Sequence, residues 1–434
     1  MLNKLIVTLV MFAILTSACT SVESDPETQP AVEISLVKSD LAREKSPQVS
    51  PQALSSLVEG NSDFAFKFYD QIRQEDDNLL FSPLSLSLAL SMTLAGAENS
   101  TEDAMLKGLQ QQLAEEDLHS AINALLLLIE ESQNEISEDR EGSSFKLHIA
   151  NSIWGQAGLT FNKDFLDNLA LNYGAGIFPV DFITQPEEAR QLINQWVEEA
   201  TEGRIQDLIP PDAFTAFTRM VLANAIYFNG SWLYPFEENG TSPAPFTLLD
   251  GSQTQVEMMS LPGKHLFYAS GENYQLVQLP YLSQDFLMTV ILPDTGQFAE
   301  LEEHLDRNFL DQMASDVSQV EVNLKMPKFE FSTTLNANEV LSDLGMAEAF
   351  DPEAADFSGM TLEEALFITD VVHKADIKVD ERGTEAAAAT AVIMGIKSMM
   401  PGEPISLVVD RPFLFFIQHR PTGSILFMGR VIQP

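Results

Sequence analysis

The sequence predicts an α+β fold built as one large domain. Helical periodicity dominates the first half of the 434 residues and strand-like runs dominate the second, without regular alternation. No internal repeat and no proline- or glycine-rich linker divides the chain beyond about residue 58. With 45% hydrophobic residues, the chain can bury a large core.

The first elements concern export. Lys4 precedes an apolar run from Leu5 to Leu15, and the small residues Ser17 and Ala18 follow. That order is a secretory signal peptide over residues 1–18, too short to span a bilayer as a helix. Cys19, the only cysteine in the chain, comes next. The segment "LTSAC" resembles a bacterial lipoprotein box, with Thr16 where the usual leucine stands and Leu15 one place earlier. It implies a lipid on Cys19 and a protein anchored to a bacterial membrane or cell surface, or otherwise secreted. A lone cysteine is consistent with export without intramolecular disulfides. Residues 19–57, with Pro26, Pro30, Pro47 and Pro51 among polar residues, read as a flexible tether.

The folded body follows, expected over 58–434. Phe64, Phe68 and Ile72 recur every fourth residue, one face of an amphipathic helix. In "FSPLSLSLALSMTLAGA" Ser82 is a helix N-cap and Pro83 the first helical residue, and the helix is apolar almost all round, hence buried. Further helices are expected near 102–111, 116–132, 162–172 and 186–200. Strands are expected at "FKLHIANSIW", "RMVLANAIYFNGSW", "YQLVQLPY", "FLMTVILP", "VEVNLKMPKFEF", "PFLFFIQH" and "SILFMGRVI".

Catalytic chemistry finds little support. The net charge of −40 and pI near 4.2 argue against nucleic acids and anionic lipid surfaces as partners. There is no G-x-S-x-G elbow, Walker loop or H-E-x-x-H, and the six histidines share no helical metal spacing. An enzyme is not expected, nor a metal or cofactor. One stretch resists the bland reading. "GTEAAAATAVIMGIKS", residues 383–398, joins four alanines, good helix formers, to a β-branched run and then a lysine.

Four motifs in order, "NLLFSPLSLSLALSMTLAGAENST", "VLANAIYFNGSWLYPF", "VVHKADIKVDERGTEAAAATA" and "LVVDRPFLFFIQHRPTGSILFMGRV", resemble the serpin family of protease inhibitors over nearly all of residues 60–434. The resemblance implies three β-sheets, eight or nine helices and an exposed reactive-centre loop, about 381–411. In inhibitory members a protease cuts that loop, whose first part then enters the main sheet as a new strand.

An inserted strand alternates its side chains. One face would carry Glu385, Ala387, Ala389, Ala391 and Ile393. The other would carry Thr384, Ala386, Ala388, Thr390 and Val392, with no charge to bury. Small residues ease entry, Gly383 supplies backbone freedom, and no proline interrupts pairing. Thr384 to Lys397 would span roughly 45 Å at about 3.3 Å per residue.

The resemblance also assigns roles. Spacing from Gly383 puts the scissile bond at Lys397–Ser398, bait for a trypsin-like serine protease. The segment from Gly383 to Pro412 is several residues longer than in many relatives. A register slip would therefore offer Met399 or Met400 to chymotrypsin- or elastase-like enzymes, or to cysteine proteases. The hinge is Glu381, Gly383, Thr384, Glu385, Ala386, Ala387, Ala388, Ala389 and Thr390. Ser82, Ser85, Asn224 and His373 match the polar shutter beneath the opening sheet. Trp232, Lys328 and Glu381 match the breach where insertion starts. A monomer forming a covalent complex with its protease is expected; the rival readings are a binding or chaperone protein on the same fold and a hydrolase.

Overall fold

A computed structural model describes residues 36–73, 77–134, 145–384 and 403–434, which belong to one compact unit. Cys19, the hinge residues Glu385 to Thr390, Lys397, Ser398, Met399 and Met400 lie outside the described residues.

The expected helices form. Ser50 caps the first, Pro51–Ile72, by accepting from the Ala53 amide, with proline at its start. Ser82 caps the second, Pro83–Leu94, every residue of which is buried. Helices Asn99–Gly108, Glu115–Asn134, Lys163–Tyr173 and Pro186–Ala200 follow. Shorter ones at Phe298–Glu303, Arg307–Ser315 and Asn338–Leu341 bring the α-helices to nine among the described residues.

The tether reaches less far than expected. The first helix already starts at Pro51, and residues from Leu36 onward are docked on the body. Val37 exchanges two 2.9 Å backbone hydrogen bonds with Ile177. Arg43 donates to Asn123 and Glu130, and the Glu44 amide to the Leu171 carbonyl. Of the prolines that suggested a linker, Pro47 lies in a loop and Pro51 at a helix start, where a missing N–H costs nothing.

The main sheet runs in spatial order Phe329–Asn336, Asp370–Val379, Met220–Ser231, Phe145–Gln156, Ile177–Val180. Its two central strands, Asp370–Val379 and Met220–Ser231, pair in parallel from Asp370↔Val221 to Ala375↔Ile226. Beyond that point the two-residue strand Gly383–Thr384 enters between them, antiparallel to both. On one face, Ala223, Ala225, Val221 and Val372 pack with Ile193 and Val197 of the Pro186–Ala200 helix in a separate small cluster. The wholly buried Pro83–Leu94 helix contributes to the large core that joins the two sheets.

Among the described residues the second sheet has nine strands joined by hydrogen bonds. Its longest, Gln253–Gly271, has a register shift between Leu261 and Lys264, which separates two strand sets of this sheet. With the main sheet, these two sets give the threefold arrangement of strands expected from the resemblance.

Candidate functional site

The site is built around the split between the central strands. Asp380 to Gly383 form a tight turn: the Asp380 amide donates to the Gly383 carbonyl at 2.9 Å, and the Asp380 carboxylate accepts from the Arg382 amide at 2.8 Å. Glycine is required at 383, because a Cβ there would lie 2.1 Å from the Gly230 carbonyl oxygen. Thr384 then points into the core, 1% exposed, its hydroxyl 2.7 Å from that of Tyr281. Burial pushes the Tyr281 phenol well up, so it stays neutral and able to donate.

Trp232 stacks on Tyr281, with ring centroids 4.5 Å apart and planes at 17°. Its indole N–H donates to the Asp380 carbonyl at 3.1 Å and its backbone N–H to the Arg382 carbonyl at 2.8 Å. Glu381 sits beside this stack, bonded by Lys328 at 2.7 Å and by the Thr241 hydroxyl at 2.5 Å. Burial works to raise the Glu381 carboxyl, but hydrogen bonds from Lys328 and Thr241 outweigh it and hold the group below its ordinary range. The three expected breach residues are therefore together. Tyr281 and Thr241, their partners here, were not predicted from sequence.

Further down the split lies a polar row. His373 and Asn224 are register partners across the central strands, and Asn151 is the partner of Asn224 on the next strand. The Ser82 amide donates to His373 Nε2 at 3.0 Å, so that nitrogen is unprotonated. His373 Nδ1 then carries the proton and donates it to Asn224 Oδ1. Burial alone lowers the imidazole pKa to about 3, so the ring is neutral at physiological pH.

Asn224 Nδ2 donates to Ser85 Oγ at 2.8 Å and to Asn151 Oδ1 at 2.5 Å. Asn151 returns a 3.0 Å bond to the Ser85 carbonyl, and Ser82 Oγ donates to the Leu426 carbonyl at 2.6 Å. All four predicted residues meet in one buried network. Asn151 completes it, and only the strand register reveals that.

Among the described residues no group of three or more His, Cys, Asp or Glu is placed to hold a metal ion. A main sheet parted at one end by the two-residue strand Gly383–Thr384, above a neutral polar network, matches the three-sheet architecture expected from the sequence motifs. The family model described as "Serpin (serine protease inhibitor)" matches residues 59–434, and the chain belongs to that family.

Pig leukocyte elastase inhibitor is 36% identical over 391 residues, covering 88% of this chain and all of the relative. Serpin48 of the insect Tenebrio molitor superposes with a TM-score of 0.76 at 30% identity, covering 89% of this chain and 100% of that one. Human thyroxine-binding globulin, solved with its hormone, superposes with a TM-score of 0.77 at 30% identity, covering 88% and 99%. The family is thus one of protease inhibitors, not proteases, with members named for other ligands.

Proposed function

We propose that this chain is an irreversible suicide-substrate inhibitor of serine endopeptidases, of trypsin-like specificity, with Lys397–Ser398 as the bait bond. The observation that carries the reading is the register of the split sheet. Thr384 pairs with Val379 on one side and Gly230 on the other. Continued residue by residue, these pairings would set Thr390 between His373 and Asn224, and Ile393 between Asp370 and Val221. Those are the pairs that already face each other in parallel register. The central strands need only move apart, with no slide of one along the other.

Side chains fit the same register. Thr390 would share the face of Thr384 and present its hydroxyl to the polar row, and Ala389 and Ala391 would lie toward the Pro186–Ala200 helix, where Ala223 and Ala225 already pack. In the proposed reaction the protease serine attacks the Lys397 carbonyl, the bond to Ser398 breaks, and the Ser398 amine leaves with a proton. The acyl-enzyme forms at Lys397. Insertion of 385–397 then drags the protease away and distorts it before water can hydrolyse the ester.

Trypsin incubated with the protein should yield a complex stable on denaturing gels, with Ser398 as the new N-terminus of the released fragment. Clean turnover without a complex would overturn the reading in favour of a binding role, and cleavage after Met399 or Met400 would move the bait bond. We further propose export and lipid attachment at Cys19. Radiolabelled palmitate should label the wild type in bacteria and not Cys19→Ala; equal labelling would refute this.

A further inference from the structure

We propose that the docked segment 36–50, with the tether before it, makes the anchor of this protein resistant to the trypsin-like proteases that its bait attracts, so that capture leaves the inhibitor attached. The inference rests on the lipid attachment and the trypsin-like specificity proposed above. A trypsin-like enzyme cuts after lysine or arginine. Between Lys4 and Lys38 the sequence has neither, so the stretch from Cys19 to Val37 offers such an enzyme no bond. Lys38, Arg43 and Lys45 are the only basic residues from there to Lys67, which lies inside the first helix. All three sit on the docked segment.

The backbone around each is held. Lys38 stands between Val37, whose amide and carbonyl both bond Ile177 at 2.9 Å, and Ser39, whose hydroxyl donates to Asp167 at 2.5 Å. Arg43 donates from Nε to Asn123 at 2.8 Å and from Nη1 to Glu130, and its side chain is 14% exposed. Beside Lys45, the Glu44 amide donates to the Leu171 carbonyl at 2.9 Å, and the Glu44 carbonyl accepts from Asn123 Nδ2 at 2.8 Å. A protease must draw several residues of extended backbone into its cleft on both sides of the bond it cuts. Here these hydrogen bonds have to open first, and cleavage follows the small population of opened molecules.

The body is shaped for this contact. A Cβ at residue 176 would lie 2.5 Å from the Val37 carbonyl oxygen, 2.8 Å from Lys38 Cβ and 3.2 Å from Leu36 Cγ, so Gly176 is what lets the segment approach. The segment also precedes residues 59–434, the part matched by the family model, so the protection lies outside the shared domain.

The test places the full lipidated chain on phosphatidylcholine vesicles and adds excess trypsin, which consumes the bait in every molecule. Wild type should stay on the vesicles with its N-terminal segment uncut. Gly176→Val pushes on the segment, since the three nearest neighbours there all belong to it, and leaves the segment's own sequence unchanged. That variant should be released about tenfold faster or more, with new N-termini at Ser39, Glu44 or Ser46. Should it fold poorly, Asn123→Ala, which frees Arg43 and the Glu44 carbonyl, serves with the same direction expected. Equal release of wild type and both variants, or cleavage of wild type after Lys38, Arg43 or Lys45 as fast as at the bait, would overturn the inference. Wild type that never binds vesicles would count against lipid attachment alone. N-terminal sequencing of the soluble full chain after trypsin then reads the segment directly, with the same two outcomes.

Discussion

Replacing Thr384 by arginine puts the largest obstacle at the first step of insertion. Thr384 is closed in, 1% exposed, between Val379 and Gly230, with its hydroxyl on Tyr281. Thr241, Trp232 and the Phe228 ring lie at this end of the split, and the carboxylates there are engaged, Glu381 by Lys328 and Thr241 and Asp380 by the Arg382 and Gly383 amides. A guanidinium in that place lacks a free counter-ion and costs about 3–5 kcal/mol, as an uncompensated buried charge does.

Thr384 is already seated between the strands in the uncleaved chain, so the arginine drives residue 384 out of the split, and insertion must carry it back in; the cost then falls on the barrier to insertion. Each 1.4 kcal/mol slows a step about tenfold, and insertion slows by a factor on the order of 10² to 10³. Hydrolysis of the acyl-enzyme is untouched. On the proposed inhibitory mechanism, wild type should divide nearly all of its cleaved molecules into complex and Thr384→Arg nearly all into free cleaved protein. Titration of trypsin with the variant should give many moles consumed per mole inhibited, and denaturing gels should show cleaved chain without complex. An inhibition stoichiometry equal to wild type would refute the hinge reasoning.

Three other perturbations bear on the same machinery. Asn151→Ala removes an acceptor from Ser85 Oγ and from Asn224 Nδ2, both buried, and should lower the stability of the native form by about 1–3 kcal/mol in urea titration. Lys328→Met leaves Glu381, whose side chain is 10% exposed, with Thr241 alone; burial then raises its pKa, and a loss of about 1–2 kcal/mol at neutral pH should appear as a lower melting temperature. His373 titrates near 3 when folded and about 6.5 when unfolded, so the unfolded chain binds its proton more tightly. Its contribution to stability is therefore complete above about pH 6.5 and lost as the pH falls toward 3, by up to about 1.4 kcal/mol per pH unit. His373→Asn should lose stability less steeply than wild type between pH 6 and 4, and parallel curves would contradict the assignment.

The sequence exposes what is local and hides what is lateral. Ser82 and Pro83 mark a helix start in any context, and in the fold Ser82 both caps that helix and, through its amide, fixes the tautomer of His373. Several buried strands are visible because their β-branched and aromatic runs are dense, but the central strand Asp370–Val379 and the short Leu79–Phe81 are not among those expected. The longest strand, Gln253–Gly271, was not, since Pro262 and Gly263 break its pattern at the register shift that bends the pairing. Docking of residues 36–50 was equally hidden, because it depends on one bridge to Ile177 and on Arg43 reaching helix Glu115–Asn134.

Asn151 and Tyr281 show the deeper reason. Each is ordinary in its own stretch of chain and acquires its role only from the residue that stands beside it on another. Asn151 lies next to Asn224 because two strands seventy-odd positions apart pair in one register, and a shift by a single residue would turn its amide to the other face. The loop obeys the same rule with a different outcome. Its register is already set at Gly383 and Thr384, so the alternation from Thr384 to Lys397 can be read forward onto the strands that flank the split. On the proposed insertion, a segment half helix former and half strand former would acquire one defined set of neighbours, and the reading can fail at any of them.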